Sequence, residues 1–132
     1  MKLPFQRVNQ RCYKEVKKAP VLGEGVERMM VLARSGEPFE ARLKAVLETR
    51  RNVVEEYRWR PLLRESLREE SNFVCAADDL LEAMFSGEID RLRKQGGALD
   101  ALLTRLNELD LNPQWRDETR PRIAARIAEA RK

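Results

Sequence analysis

Histidine is absent from this chain of 132 residues, and cysteine occurs only twice, at Cys12 and Cys75. The first absence removes the commonest general base and the commonest metal ligand, and the second excludes a CxxC-type metal cluster. Neither a metal nor another cofactor is therefore expected. Aromatic residues make up only 6 % of the chain. No stretch approaches the ~18 consecutive apolar residues of a membrane helix. The opening MKLPFQRVNQR is charged but has no apolar run, so it does not read as a signal peptide. Two unpatterned cysteines without an export signal are expected to stand alone as thiols in a reducing, cytoplasmic setting. Cys75, inside an apolar stripe, reads as a small buried hydrophobe. Cys12 lies among Lys14, Lys17 and Lys18, which would lower its pKa, yet ordinary packing is the expectation there. Glycine-rich phosphate loops are missing too: Gly23-Glu24-Gly25 lacks the lysine and the preceding strand of such a loop.

What is present is helix-forming material. Apolar residues supply 42 % and charged residues 36 % of the chain, the latter above the roughly 25 % of ordinary soluble domains. This suits amphipathic helices with long charged faces, and it is too apolar for disorder. The length predicts one domain with a core of its own. The net charge of +4 is unevenly spread. Residues 1–20 carry six basic side chains against one acidic, residues 61–90 two against eight, and residues 91–132 ten against six. Two basic ends thus flank an acidic centre.

Along the chain, the first twenty residues read as a basic arm or marginal helix, with a thin stripe of Val8, Cys12 and Val16. Residues 21–132 read as a single helical domain. Gly23 and Gly25 are expected to open a turn, after which Val26, Met29, Met30 and Ala33 follow helical spacing to a left-handed cap at Gly36. Phe39 to Tyr57 predicts a helix running from Pro38 to about Trp59, broken at Arg60-Pro61. A short helix over residues 62–70 should follow, and Ser71 should cap the next one. That helix carries Phe73, Val74, Ala77, Leu80, Leu81, Met84 and Phe85 and should be interrupted at Gly87, with Gly96-Gly97 as a hinge. Leu99 to Leu109 predicts another helix, stopped at Asn112-Pro113, and a last one starts around residues 117–121. No segment alternates with period two. The expected fold is all-α, a compact bundle of five to seven helices, some short, with a basic N-terminal arm.

Three basic segments interleave cations with aromatics. The arm offers Arg7, Arg11, Lys14, Lys17 and Lys18 beside Phe5 and Tyr13, the middle offers Arg58, Trp59 and Arg60, and the tail offers Trp115, Arg116, Arg120, Arg122 and Arg126. Arginine forks match phosphate oxygens, and aromatic faces stack on unpaired bases. Nothing resembles a helix-turn-helix, a zinc finger or a basic zipper, so backbone contact is expected rather than base reading. Asp78 and Glu82, four residues apart, are the nearest approach to a carboxylate metal pair; the apolar stripe beside them predicts that they form the solvated face of a core helix instead. Met29 and Met30, with Ile123 and Ile127 on the narrow stripe of the last helix, are expected to meet a protein partner.

In size, helicity and basic clusters such as Arg7, Arg11, Lys14 and Arg120, Arg122, Arg126, the chain resembles in outline the small all-helical subunits of CRISPR surveillance complexes. The resemblance implies an enzymatically silent subunit lining a nucleic-acid channel in a larger assembly. The expected function is accordingly a non-enzymatic helical subunit, cytoplasmic, that binds DNA or RNA through its backbone. The alternative is a helical adaptor, chaperone or inhibitor that binds another protein.

Overall fold

The computed structural model describes residues 10–16, 18, 20–59 and 67–132, without the side chains of residues 10, 11, 20, 59 and 67–69. Every regular element among them is helical: α1 (Gln10–Val16), α2 (Pro20–Ala33), α3 (Phe39–Trp59), α4 (Leu67–Arg91), α5 (Gly96–Asn107) and α6 (Arg120–Arg131), with a π-helical turn, Trp115–Thr119, leading into α6. The all-α architecture is as the periodicity requires. Among the described residues no helix is long and apolar enough to cross a membrane. The chain forms two compact units, one ending at Leu81 and one starting at Glu82. The expected helix break at Arg60-Pro61 and the segment 62–66 lie outside the described residues.

In the first unit α2 packs on α3. Leu22, Val26 and Met29 of α2 are fully buried, as are Leu43, Val46 and Val53 of α3 and Phe73 and Leu81 of α4. α2 starts at Pro20, where a missing N–H costs a helix nothing. Gly23 and Gly25 are therefore inside the helix, both buried, and open no turn. A Cβ on Gly25 would lie 2.8 Å from both Cγ atoms of Val53. Glycine at this position is what allows the two helices to approach.

Arg42 closes the connection between them. Its guanidinium donates to the carbonyls of Ala33 at 2.9 Å and Glu37 at 3.0 Å. It also sits 5.8 Å from the centre of the Phe39 ring. The last carbonyl of α2 is thus satisfied by a side chain from the next helix. Gly36 has no positive φ and is not a left-handed cap.

Cys12 of α1 is disulfide-bonded to Cys75 of α4, with Cα atoms 6.2 Å apart. The two thiols expected to stand alone are one bond, and both residues are half-buried rather than core. The partners are 63 residues apart in sequence; in the chain-entropy picture, closing such a loop stabilises the fold by about 4 kcal/mol.

α4 runs unbroken through Ser71 and Gly87, so Ser71 is no N-cap and Gly87 no interruption. The chain reversal after α4 belongs to Lys94, with φ 66°, whose N–H donates to the carbonyl of Ala130 at 2.8 Å. Gly96 and Gly97 begin α5 instead of forming a hinge. In the second unit α5 and the π-helical turn pack on α6, burying Leu99 and Leu106 with Trp115, Ile123 and Ile127. The π-helical turn precedes Pro121, near the start of α6. Arg120 N–H donates to the carbonyl of Trp115, five residues back. The wider turn relieves the clash a proline ring makes with the carbonyl four residues before it.

Two glycine substitutions should act in opposite directions. Gly25→Ala should destabilise the protein by about 1–3 kcal/mol through overpacking, and Val53→Ala in the same chain should recover part of the loss. Nothing lies within 4 Å of a Cβ built on the exposed Gly87. Gly87→Ala should therefore stabilise α4 by about 0.5–1 kcal/mol. Thermal and urea unfolding of the three variants beside the parent chain checks both signs.

Candidate nucleic-acid interface

Helix propensity and one buried valine set out the first group of candidate cations. Val16 of α1 is fully buried, which turns Lys14 to solvent, and Lys18 just beyond is exposed as well. Lys18 lies 3.5 Å from Glu15, both largely exposed; such a pair contributes little and exchanges readily for another anion. Tyr13 donates its phenol proton to Glu27 at 2.8 Å. Partial burial, then the Glu27 hydrogen bond and charge, raise its pKa above the ordinary tyrosine value. The Tyr13 hydroxyl is thus committed to α2. Arg7, Lys17 and Arg60 lie outside the described residues, as do the side chains of Arg11 and Trp59. Arg58 is exposed but bound, with Nη2 at 2.7 Å and Nε at 3.0 Å from one oxygen of Glu70.

The tail candidates are mostly occupied within their own unit. Trp115 is fully buried and presents no face for a base. Its indole N–H donates to the carbonyl of Leu109 at 3.1 Å, and its backbone N–H to the Asn112 side chain at 2.8 Å. Arg120 donates to the same Leu109 carbonyl at 3.3 Å. Arg116 lies between Asp117 at 3.7 Å and Asp110 at 4.0 Å. Arg122 grips Glu82 with two bonds, at 2.9 and 3.1 Å. Arg126 differs: it is exposed and donates at 2.6 Å to the Ser86 hydroxyl, which leaves its charge unneutralised by that bond.

The acidic centre is also placed differently from the sequence expectation. Asp78, Glu82 and Glu88 are buried, at 3 %, 5 % and 8 % exposure, and are not the solvated face of α4. Each faces an arginine. Arg50 lies 3.9 Å from Asp78, Arg122 holds Glu82, and Arg91 holds Glu88 through two 2.8 Å bonds. Burial lowers the pKa of Arg50, and the charge of Asp78 works against that shift. The Glu88 hydrogen bonds and charge raise that of Arg91. The carboxylates are thus committed to the fold, while the guanidinium groups of Arg91 and Arg122 cover them from an exposed position. Among the described residues no group of three or more Asp, Glu or Cys side chains is arranged to hold a metal ion.

The expected protein-docking residues are core. Met29, Ile123 and Ile127 are at most 1 % exposed and Met30 only slightly more, so no partner reaches them. The helical stripe of α2 that suggested Met29 and Met30 is its inward face. The residue it left out is Val31, 62 % exposed, in a shallow recess with Arg28, Leu32 and Thr49. Its signal in the sequence is only negative: it is the apolar residue next to the stripe that does not share its phase.

The described basic candidates not held by a buried or half-buried carboxylate or a backbone carbonyl thus reduce to Lys14 and Lys18 in the first unit and Arg116 and Arg126 in the second. No family model, curated protein or solved structure matches this chain.

Proposed function

We propose that this chain is a non-enzymatic helical subunit that binds a nucleic-acid backbone within a larger cytoplasmic assembly, the role its outline resemblance implies. The observation that carries the reading is the exposure of Lys14 and Lys18 on and beside α1, within a stretch of twenty residues holding six basic side chains against one acidic. Neither lysine is drawn into a buried pair. Phosphate oxygens would replace water and Glu15 around these ammonium groups, and the gain in free energy is the release of condensed counterions. Arg126 offers a further phosphate contact, since its hydroxyl partner carries no charge. The arginines clasped to buried carboxylates are excluded: moving Arg122 to a phosphate would leave Glu82 buried and uncompensated. A non-enzymatic role suits a chain with no histidine, whose two cysteines are joined.

A second reading rests on Val31. An exposed valine beside a shallow apolar recess suits a protein partner, the other subunits of such an assembly included.

The test is binding of the full chain to labelled single- and double-stranded DNA and RNA across a salt series. Affinity should fall steeply with salt. Lys14→Glu with Lys18→Glu should weaken binding at least tenfold and flatten the log–log salt slope by about 1.5–2, the loss of two phosphate contacts. Arg122→Gln should leave the slope unchanged. No binding at low salt, or a slope indifferent to the two lysines, would sink the backbone-binding reading. Loss of partner capture in Val31→Asp alone would favour the second.

A further inference from the structure

The disulfide joins the segment that carries the exposed lysines to the helical core, and its position gives it a consequence for binding. Cys12 lies in the middle of α1, two residues from Lys14, while Cys75 lies on α4. The described part of α1 is seven residues long, far below the length at which an isolated helix holds in water. Its order therefore depends on its attachments: the bond to Cys75, the buried Val16 and the Tyr13–Glu27 hydrogen bond. The core beneath is of another kind. Leu22, Met29, Leu43, Val53 and Phe73 are fully buried, whereas both cysteines are only half-buried. The bond lies at the margin of that core, and releasing α1 withdraws one fully buried side chain, Val16.

We propose that Cys12–Cys75 is a reversible clasp: reduction by a cellular dithiol releases α1 from the first unit and lowers the affinity of its lysines for a nucleic-acid backbone. The affinity part rests on the function proposed above. One thiolate of the dithiol attacks a sulfur of the bond, and the other cysteine leaves as a thiolate and takes a proton. The second thiol of the reductant then displaces the mixed disulfide, so the reductant ends as a disulfide and the protein as two thiols. In a reducing compartment a bond of this kind is transient and redox-sensing rather than permanent. Clasped, the lysines are held in place before binding. Released, they must be ordered at the moment of contact, which costs affinity without changing the charge.

The experiment compares the oxidised full chain, the same chain reduced by dithiothreitol, and the Cys12→Ser, Cys75→Ser double variant. Hydrogen exchange on peptides covering residues 10–16 reads release, exchange in α2 and α3 with circular dichroism reads the core, and titration with a labelled oligonucleotide reads affinity. Reduction should strip protection from residues 10–16, leave α2 and α3 protected, and weaken binding by about three- to tenfold with the salt slope nearly unchanged. The double variant should match the reduced chain and ignore dithiothreitol, and reoxidation should restore tight binding. Unchanged protection of α1 would overturn the clasp. Collapse of α2 and α3 on reduction would overturn it too, leaving a structural staple. Release of α1 with equal affinity would break the link to binding. If α1 is released but no form binds any oligonucleotide, the proposed function fails, and the link to affinity fails with it.

Discussion

Buried carboxylates on α4 govern where the arginines of this protein go. Asp78, Glu82 and Glu88 are taken out of water, and an ionised carboxylate so placed costs several kcal/mol unless a cation and hydrogen bonds compensate it. Arg122 and Arg91 supply both to Glu82 and Glu88, and Arg50 brings its charge to 3.9 Å from Asp78. Two of the three set two guanidinium nitrogens, Nε and Nη2, against both carboxylate oxygens, the geometry in which arginine outperforms lysine. A charge inventory counts such arginines as surface cations. The fold commits them to buried carboxylates, even where, as at Arg91 and Arg122, the guanidinium itself stays exposed.

The same division separates lysines from arginines. Lys14 and Lys18 remain in solvent, where a compact, strongly hydrated ammonium on a flexible stem is at its best. Arg42 and Arg120 instead satisfy backbone carbonyls at helix ends, and Arg58 and Arg116 face neighbouring carboxylates. The basic N-terminal stretch and the helical core then perform different tasks. The core is the base to which the Cys12–Cys75 bond fastens α1, and on the function proposed above Lys14 and Lys18 offer their charge to an anion.

Much of the helical content was legible because amphipathic periodicity is local. The i, i+3, i+4 spacing of Val26, Met29, Met30 and Ala33 marks the inner face of α2, and Phe39 to Tyr57 marks α3 within two residues of its ends. What misled was punctuation. Gly25 is a packing residue against Val53, Gly87 sits harmlessly on an exposed turn, and Lys94 rather than a glycine takes the left-handed conformation. A glycine in a sequence signals freedom, but only its neighbours in space say whether that freedom is used for a turn, a close approach or nothing.

The candidate site was legible only in part, for the same reason. Sequence by itself determined the helical class, the inward stripes and the uneven distribution of charge, all of which follow from the order of side chains along a periodic backbone. Tertiary structure decided which charges stay in water and which chemistry the cysteines have. Glu82 meets Arg122 forty residues away, and Cys12 meets Cys75 across 63. Trp115 disappears under the Leu109 carbonyl, and Ile123 and Ile127 into the unit that α6 completes. Ion pairing, disulfide formation and burial are properties of distance in space, and no local pattern in the chain encodes that distance.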